Sequence, residues 1–281
     1  MEKQQAVKVL RRILVGGIPA AALLQELAVL LSYDKYSNYF VINAPLPIVT
    51  GVLTALLFVL AIACAVIDEK KSNAISPFGN QVWISIPAAL GFGAGGVLLL
   101  VDFFKTEKIL PLVAAIFLLL SAAHVLVSET NAKNALLGFT PPIACALLVG
   151  VLYFDASLEM NAPMKVFVQC ALLPLMLYFT TELRYLLGCP LPRLFSALAL
   201  GSLAASSLCI LTVPVASITG HLENQYCLIG ALAVIGINAT VALRQWRYLQ
   251  APNEIPSPDE TPSLDEIPSP DENDTKETEA Q

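Results

Sequence analysis

The 281 residues are 56% apolar and only 14% charged, with a mean hydropathy of +0.70, whereas ordinary soluble domains carry about 25% charged residues. The net charge of −6 belongs to the C-terminal stretch: positions 252–281 hold ten acidic residues and one Lys, which leaves the rest of the chain at +3. No basic patch interleaved with aromatics is present, so nucleic acid is not an expected partner.

A hydrocarbon core about 30 Å thick takes about 20 residues of apolar helix. Eight segments reach that length, at 13–32, 48–67, 82–101, 109–127, 136–154, 166–187, 194–217 and 226–243. At that depth each backbone N–H and C=O must be satisfied inside its own segment, and none of the eight alternates in polarity as a barrel strand does. The expectation is an all-α polytopic membrane protein: a bundle of eight transmembrane helices over 1–249, then a disordered tail at 250–281.

The first segment follows the basic stretch MEKQQAVKVLRR. Its apolar run before Ala20–Ala22 is short and hydrophobicity resumes directly after it, so it reads as a retained anchor rather than a cleaved signal. GGIP at 16–19 and Pro174 in the sixth segment place helix breakers in two oppositely directed spans, ahead of Glu26 and Glu182 respectively. Paired broken helices are a pointer to a transporter site. Between the first two segments, Tyr33, Tyr36, Tyr39 and Phe40 form an aromatic cluster suited to a membrane interface. The third segment contains GFGAGG at 91–96, and the seventh has Ala197, Gly201 and Ala205; small residues four apart let helix backbones approach closely. GFGAGG follows no strand and lacks a nearby basic residue, so it is not read as a nucleotide loop.

A faint internal echo links the middle spans. Asp102 is followed 27 residues later by Glu129, and Asp155 is followed 27 residues later by Glu182. Duplication of a two-helix unit would produce this, and membrane thickness imposes something similar on any hairpin. Asp102, Glu129 and Asp155 are expected at wet helix ends. Glu182 lies about 24 Å along its span at 1.5 Å per residue, which places it near an interface.

Lys and Arg flanking the spans number eleven on the side of the N-terminus and four on the other. The positive-inside rule then puts both termini in the cytoplasm, with the protein in a plasma membrane, of the bacterial inner-membrane kind. In the tail, IPSPDE, TPSLDE and IPSPDE occupy 255–272 as three copies of one hexapeptide. Such a segment buries too little apolar surface to offset its ordering entropy. It serves as a solubilising extension or as a docking strip for a cytoplasmic protein.

Polar groups at membrane depth are the natural candidates for function: Gln25 and Glu26 in AALLQELAVLLSY, His124 on one face with Ser121 and Ser128, Gln169, Glu182 and Asn238. Glu26 lies about 20 Å into a span entering from the cytoplasm and is expected to face the bundle with Ala22, Val29, Leu30 and Tyr33. The six cysteines have no paired spacing and the two histidines no metal-ligand spacing to them, so no metal or cofactor is expected. Hydrolase and ATPase signatures are absent, which argues against an enzyme. The reading is a small transporter or permease for a small molecule or ion, with a buried carboxylate as proton or cation site. Its rival is a non-catalytic membrane sensor, scaffold or assembly factor whose tail recruits a partner.

Overall fold

The computed structural model describes residues 2–67, 81–130, 134–189 and 191–250. Contacts divide the chain into Met1–Ala251 and Pro252–Gln281; the second unit, with its hexapeptide copies, lies outside the described residues. The first unit is helical: α1 (Glu2–Ser32), α2 (Pro45–Ile67), α3 (Val82–Thr106), α4 (Ile109–Ser128), α5 (Thr140–Phe154), α6 (Pro163–Leu186), α7 (Pro192–Ser206), α8 (Thr212–Ile218) and α9 (Gln225–Gln250). A two-stranded hairpin, β1 (Tyr33–Asp34) and β2 (Tyr39–Phe40), separates α1 from α2, and a 3₁₀ turn at Leu137–Phe139 leads into α5.

Among the described residues seven helical stretches are long and apolar enough to cross a membrane. Their outer faces carry exposed Leu23, Leu27, Val52, Leu56, Val59, Leu90 and Leu177, a density of exposed large apolar side chains that water would not tolerate. Exposed Trp83 and Trp246 lie at one end of the bundle, and Tyr153 and Phe154 at the other, where interfacial aromatic belts are found. The chain is built as a multi-pass membrane protein.

The expected segment 194–217 is not one helix. It is broken at 207–211, leaving helices of 15 and 7 residues. The cause is local. Pro214 has no N–H for the carbonyl of Ile210, and the hydroxyls of Ser206, Ser207 and Thr212 bond the carbonyls of Leu203, Ala204 and Leu208. The amides of Ser207, Leu208 and Cys209 tighten onto residues three back, in 3₁₀ fashion. By contrast α1 and α6 run unbroken through Pro19 and Pro174, so the two spans expected to be interrupted are continuous. A single proline in a span is tolerated; one proline together with three competing hydroxyls is not.

Two apolar layers pack together. The larger is built from α3, α4, α5, α6, α8 and α9, with the end of α1 and with Phe195 and Ala199 of α7. The smaller joins α1, α2 and the end of α7 through Leu14, Ala21, Leu57, Ala61 and Ala204. Glycines set the closest seam. Gly91 of α3 meets Gly236 of α9 backbone to backbone, and a Cβ on Gly236 would lie 2.4 Å from the carbonyl of Pro87. Gly96 faces Leu119 and the carbonyl of Ala115 on α4 instead. The GFGAGG stretch therefore serves two helix contacts, in keeping with its expected packing role.

Candidate functional site

Charge inside the bundle converges on Arg244, near the end of α9 and 4% exposed. Its Nη1 donates to Oε2 of Glu182 at 2.9 Å and to the Tyr178 hydroxyl at 3.1 Å, both on α6. Nη2 and Nε donate to Oε1 of Glu129 at 2.9 and 3.2 Å, and the Ser85 hydroxyl of α3 donates to the same oxygen at 3.2 Å. Four helices thus meet on one guanidinium. Its planar fork of five donors suits this, since separate nitrogens serve separate carboxylates. Oε1 of Glu182 is buried without a hydrogen-bond partner.

Glu129 was expected at a wet helix end and Glu182 near an interface, yet they are 1% and 2% exposed. The reason is a partner remote in sequence: Arg244, just past the end of the last expected span, reaches back across the bundle. Arg184, two residues from Glu182, instead donates to the carbonyl of Cys189.

The opposite end repeats the arrangement with different chemistry. Asp102 accepts from the Tyr226 hydroxyl and the Gln225 amide, each at 2.6 Å. Asp155 accepts from Asn224 and Ser157. Both aspartates are buried, again contrary to the expectation of wet ends. Lys165, wholly buried, donates to the carbonyls of Asp155 at 2.7 Å and Leu158 at 3.1 Å. A cation on these carbonyls satisfies the C-terminus of α5, where partial negative charge gathers. The spacing echo now has a structural counterpart. The start of α9 binds the two aspartates, and its end binds the two glutamates.

The remaining candidates do not join this cluster. Gln25 is buried and Glu26 half-buried on α1, and Oε1 of Gln25 and both carboxylate oxygens of Glu26 are buried without a hydrogen-bond partner. Ala22, Val29 and Tyr33 face inward as expected, but Leu30 is exposed. The inward stripe therefore centres on Ala21, Gln25 and Ala28, with Glu26 at its edge. His124 is buried close to Gly138, while Ser121 and Ser128 bond carbonyls of their own helix. Asn238 donates to the carbonyl of Val234 at 2.9 Å and leaves its own oxygen unpartnered. Gln169 is half-buried on α6. Among the described residues no group of His, Cys, Asp and Glu is arranged to hold a metal ion.

Three loops line a half-open cavity of about 540 Å³ at the hairpin end, formed by Lys35, Tyr36, Asn38, Ser157, Leu158, Gly220, His221, Glu223 and Asn224. The hairpin turn is held by the Asp34 carboxylate, which accepts the Tyr36 amide at 3.0 Å. That bond keeps the Asp34 carboxyl below its ordinary range. Asn38 closes the turn in the left-handed region, at φ 58°. Tyr39 fastens the hairpin by donating to Glu159 at 2.7 Å and to Asn161; donation to the Glu159 carboxylate raises the Tyr39 phenol above its ordinary value. Gly220, at φ 70°, ends α8, and the His221 amide returns to the carbonyl of Ala216 at 2.8 Å, a Schellman closure that only a left-handed residue permits.

Sequence reasoning singled out Glu182 but not Glu129, Arg244, Ser85 or Lys165 as interior groups. Two signals were present: the 27-residue echo, and Arg244 directly abutting the last expected span, 226–243. Comparison of the chain with protein-family models, curated proteins and solved structures finds no match.

Proposed function

We propose that the chain is a small transporter or permease that exchanges a proton or small cation at Glu26. The observation carrying this reading is the Glu26 carboxyl, both of whose oxygens are buried in an apolar helix without a hydrogen-bond partner. An ionised carboxylate so placed costs several kcal/mol, so a proton or a cation is the natural occupant. Gln25 adds a second unpartnered oxygen on the adjacent residue. The interruption between α7 and α8 adds support, because discontinuous helices mark the moving parts and binding sites of many transporters. It lies where the smaller layer meets the larger, and the Thr54 hydroxyl of α2 approaches that of Ser207 at 3.3 Å.

On this reading α7, the break and α8 together make one pass. Phe195 at the start of α7 packs on Tyr178 and Tyr185 at the Arg244 end, while His221 just past α8 lies at the hairpin end. Eight passes then place both termini on one side, which the basic residues assign to the cytoplasm of a cell with a plasma membrane. The test is proton flux in proteoliposomes with an imposed pH gradient, recorded with a trapped pH dye against a panel of amino acids, sugars and monovalent cations. The parent protein should show flux with one member of the panel, and Glu26→Gln, which keeps the shape but cannot titrate, should abolish it while folding normally. Equal flux in parent and variant would remove Glu26 from the mechanism. No flux with any panel member, together with capture of a cytoplasmic protein by the intact chain and not by a chain ending at Gln250, would favour the scaffold.

A further inference from the structure

We infer that the cavity at the hairpin end is a binding site for a small zwitterion, a ligand bearing an anionic group and an ammonium a few bonds apart. The size fits first. About 540 Å³ falls within the range of about 300–1,000 Å³ typical of small-molecule sites.

The floor is built in advance. Asn224 is buried, and its amide is already spent on Asp155 and Ser157 while its oxygen takes the Cys227 amide at 2.8 Å. Ser157 in turn donates to Asp155 at 2.9 Å. The floor therefore needs nothing from a ligand and holds its shape without one, which lowers the ordering cost of binding.

The walls are the opposite case. Lys35 and Glu223 carry opposite full charges and line the same cavity. Among the described residues neither is ion-paired, and the Lys35 ammonium meets only the face of the Tyr36 ring, 5.2 Å from its centroid. Two opposite charges left uncommitted around one cavity are complementary to a ligand that brings both signs, and they discriminate against one that brings a single sign. His221 and Tyr36 add further hydrogen-bonding edges. His221 is oriented through its Nδ1, 2.7 Å from the Thr219 hydroxyl. Each wall is also fixed by backbone: the hairpin by its Asx turn and by Tyr39, and the 220–224 loop by the closure at Gly220. The inference does not depend on transport by the bundle.

Two sources offer this chemistry at a membrane surface, a free α-amino acid and the headgroup of an ethanolamine lipid. Isothermal titration of the detergent-purified full chain distinguishes them, with L-alanine and glycerophosphoethanolamine as the zwitterionic probes. L-alaninamide supplies the cation alone and N-acetyl-L-alanine the anion alone. At least one zwitterion should bind at concentrations below about 10 mM, and the matching single-charge probe should bind at least about tenfold more weakly. Lys35→Glu and Glu223→Lys are surface changes, and each should weaken the zwitterion by about tenfold or more, with the double charge swap restoring part of the loss. No heat from either zwitterion, equal binding of all probes, or binding indifferent to Lys35→Glu would each overturn the site. Flux that survives a failed titration would leave the transport reading standing, and a successful titration without flux would leave the site standing alone.

Discussion

At the scale of single residues, Arg244 is the group on which most depends, because it answers two carboxylates with different nitrogens. Removing it leaves Glu129 and Glu182 buried without their shared cation, and breaking a buried pair in this way costs about 3–5 kcal/mol. Arg244→Ala should therefore melt far below the parent in detergent. Arg244→Lys should recover only part of the difference, since one ammonium cannot reach both acids with the reach of a fork. If Arg244→Lys matched the parent, the two-sided bond would be dispensable. Asp34 offers a pH test outside the spans. Its carboxyl is held below the ordinary 3.8 by the Tyr36 amide, so its contribution to the turn is present above that value and is lost as the pH falls through the lower one. Hydrogen exchange at the Tyr36 amide should be level in protection across neutral pH and lose it only in acid, while Asp34→Asn removes the acid step. What the sequence could show at this scale was which polar residues lie within the apolar segments, Glu182 among them, while Glu129 and Arg244 read as segment ends. It could not show which of them met, because Glu129, Glu182 and Arg244 are brought together by packing between helices rather than by spacing along any one of them.

At the scale of elements, the seam between α3 and α9 and the break before α8 make opposite demands. The seam requires two glycines facing each other. Gly236→Ala would set a methyl against the Pro87 carbonyl, which cannot yield as a side chain would, and should cost about 1–3 kcal/mol by overpacking. Gly93→Ala and Gly150→Ala, with open space at the Cβ position, should be neutral or slightly stabilising in the same melting assay. The break requires a missing donor. Pro214→Ala returns an N–H to the Ile210 carbonyl, so the α7–α8 region should gain amide protection in hydrogen exchange, and any flux that depends on its movement should slow. Most of this level was legible beforehand: the apolar lengths gave the helices, and GFGAGG gave a close contact. The interruption was assigned to the wrong prolines. A proline alone was weighed there, whereas the structure breaks only where serine and threonine hydroxyls draw on neighbouring carbonyls as well.

At the scale of the whole molecule, the proposed arrangement makes a claim about sides. A cysteine-free variant with single cysteine probes at Ser37, Asn161 and Ser257 should label from outside intact cells at the first two and not at the third. Tyr39 bonds Asn161, so the first two probes test one surface from separate loops. Labelling of Ser257 from outside would leave an odd number of passes or an inverted bundle.

The placement of α9 also has a consequence for how the protein is made. This helix holds the aspartates Asp102 and Asp155 near its start and the glutamates Glu129 and Glu182 near its end, and of the described helices it is the last to be synthesised. The helices α3 to α6 must therefore enter the bilayer and wait with these four acids lacking their eventual partners on α9, so the nascent chain is at its most vulnerable just before completion. A ribosome paused between α8 and α9 would display a substrate for membrane quality control, and release of the final helix would withdraw it. A chain ending at His221 should accordingly be degraded quickly, and supplying α9 as a separate peptide should lengthen its lifetime in the membrane.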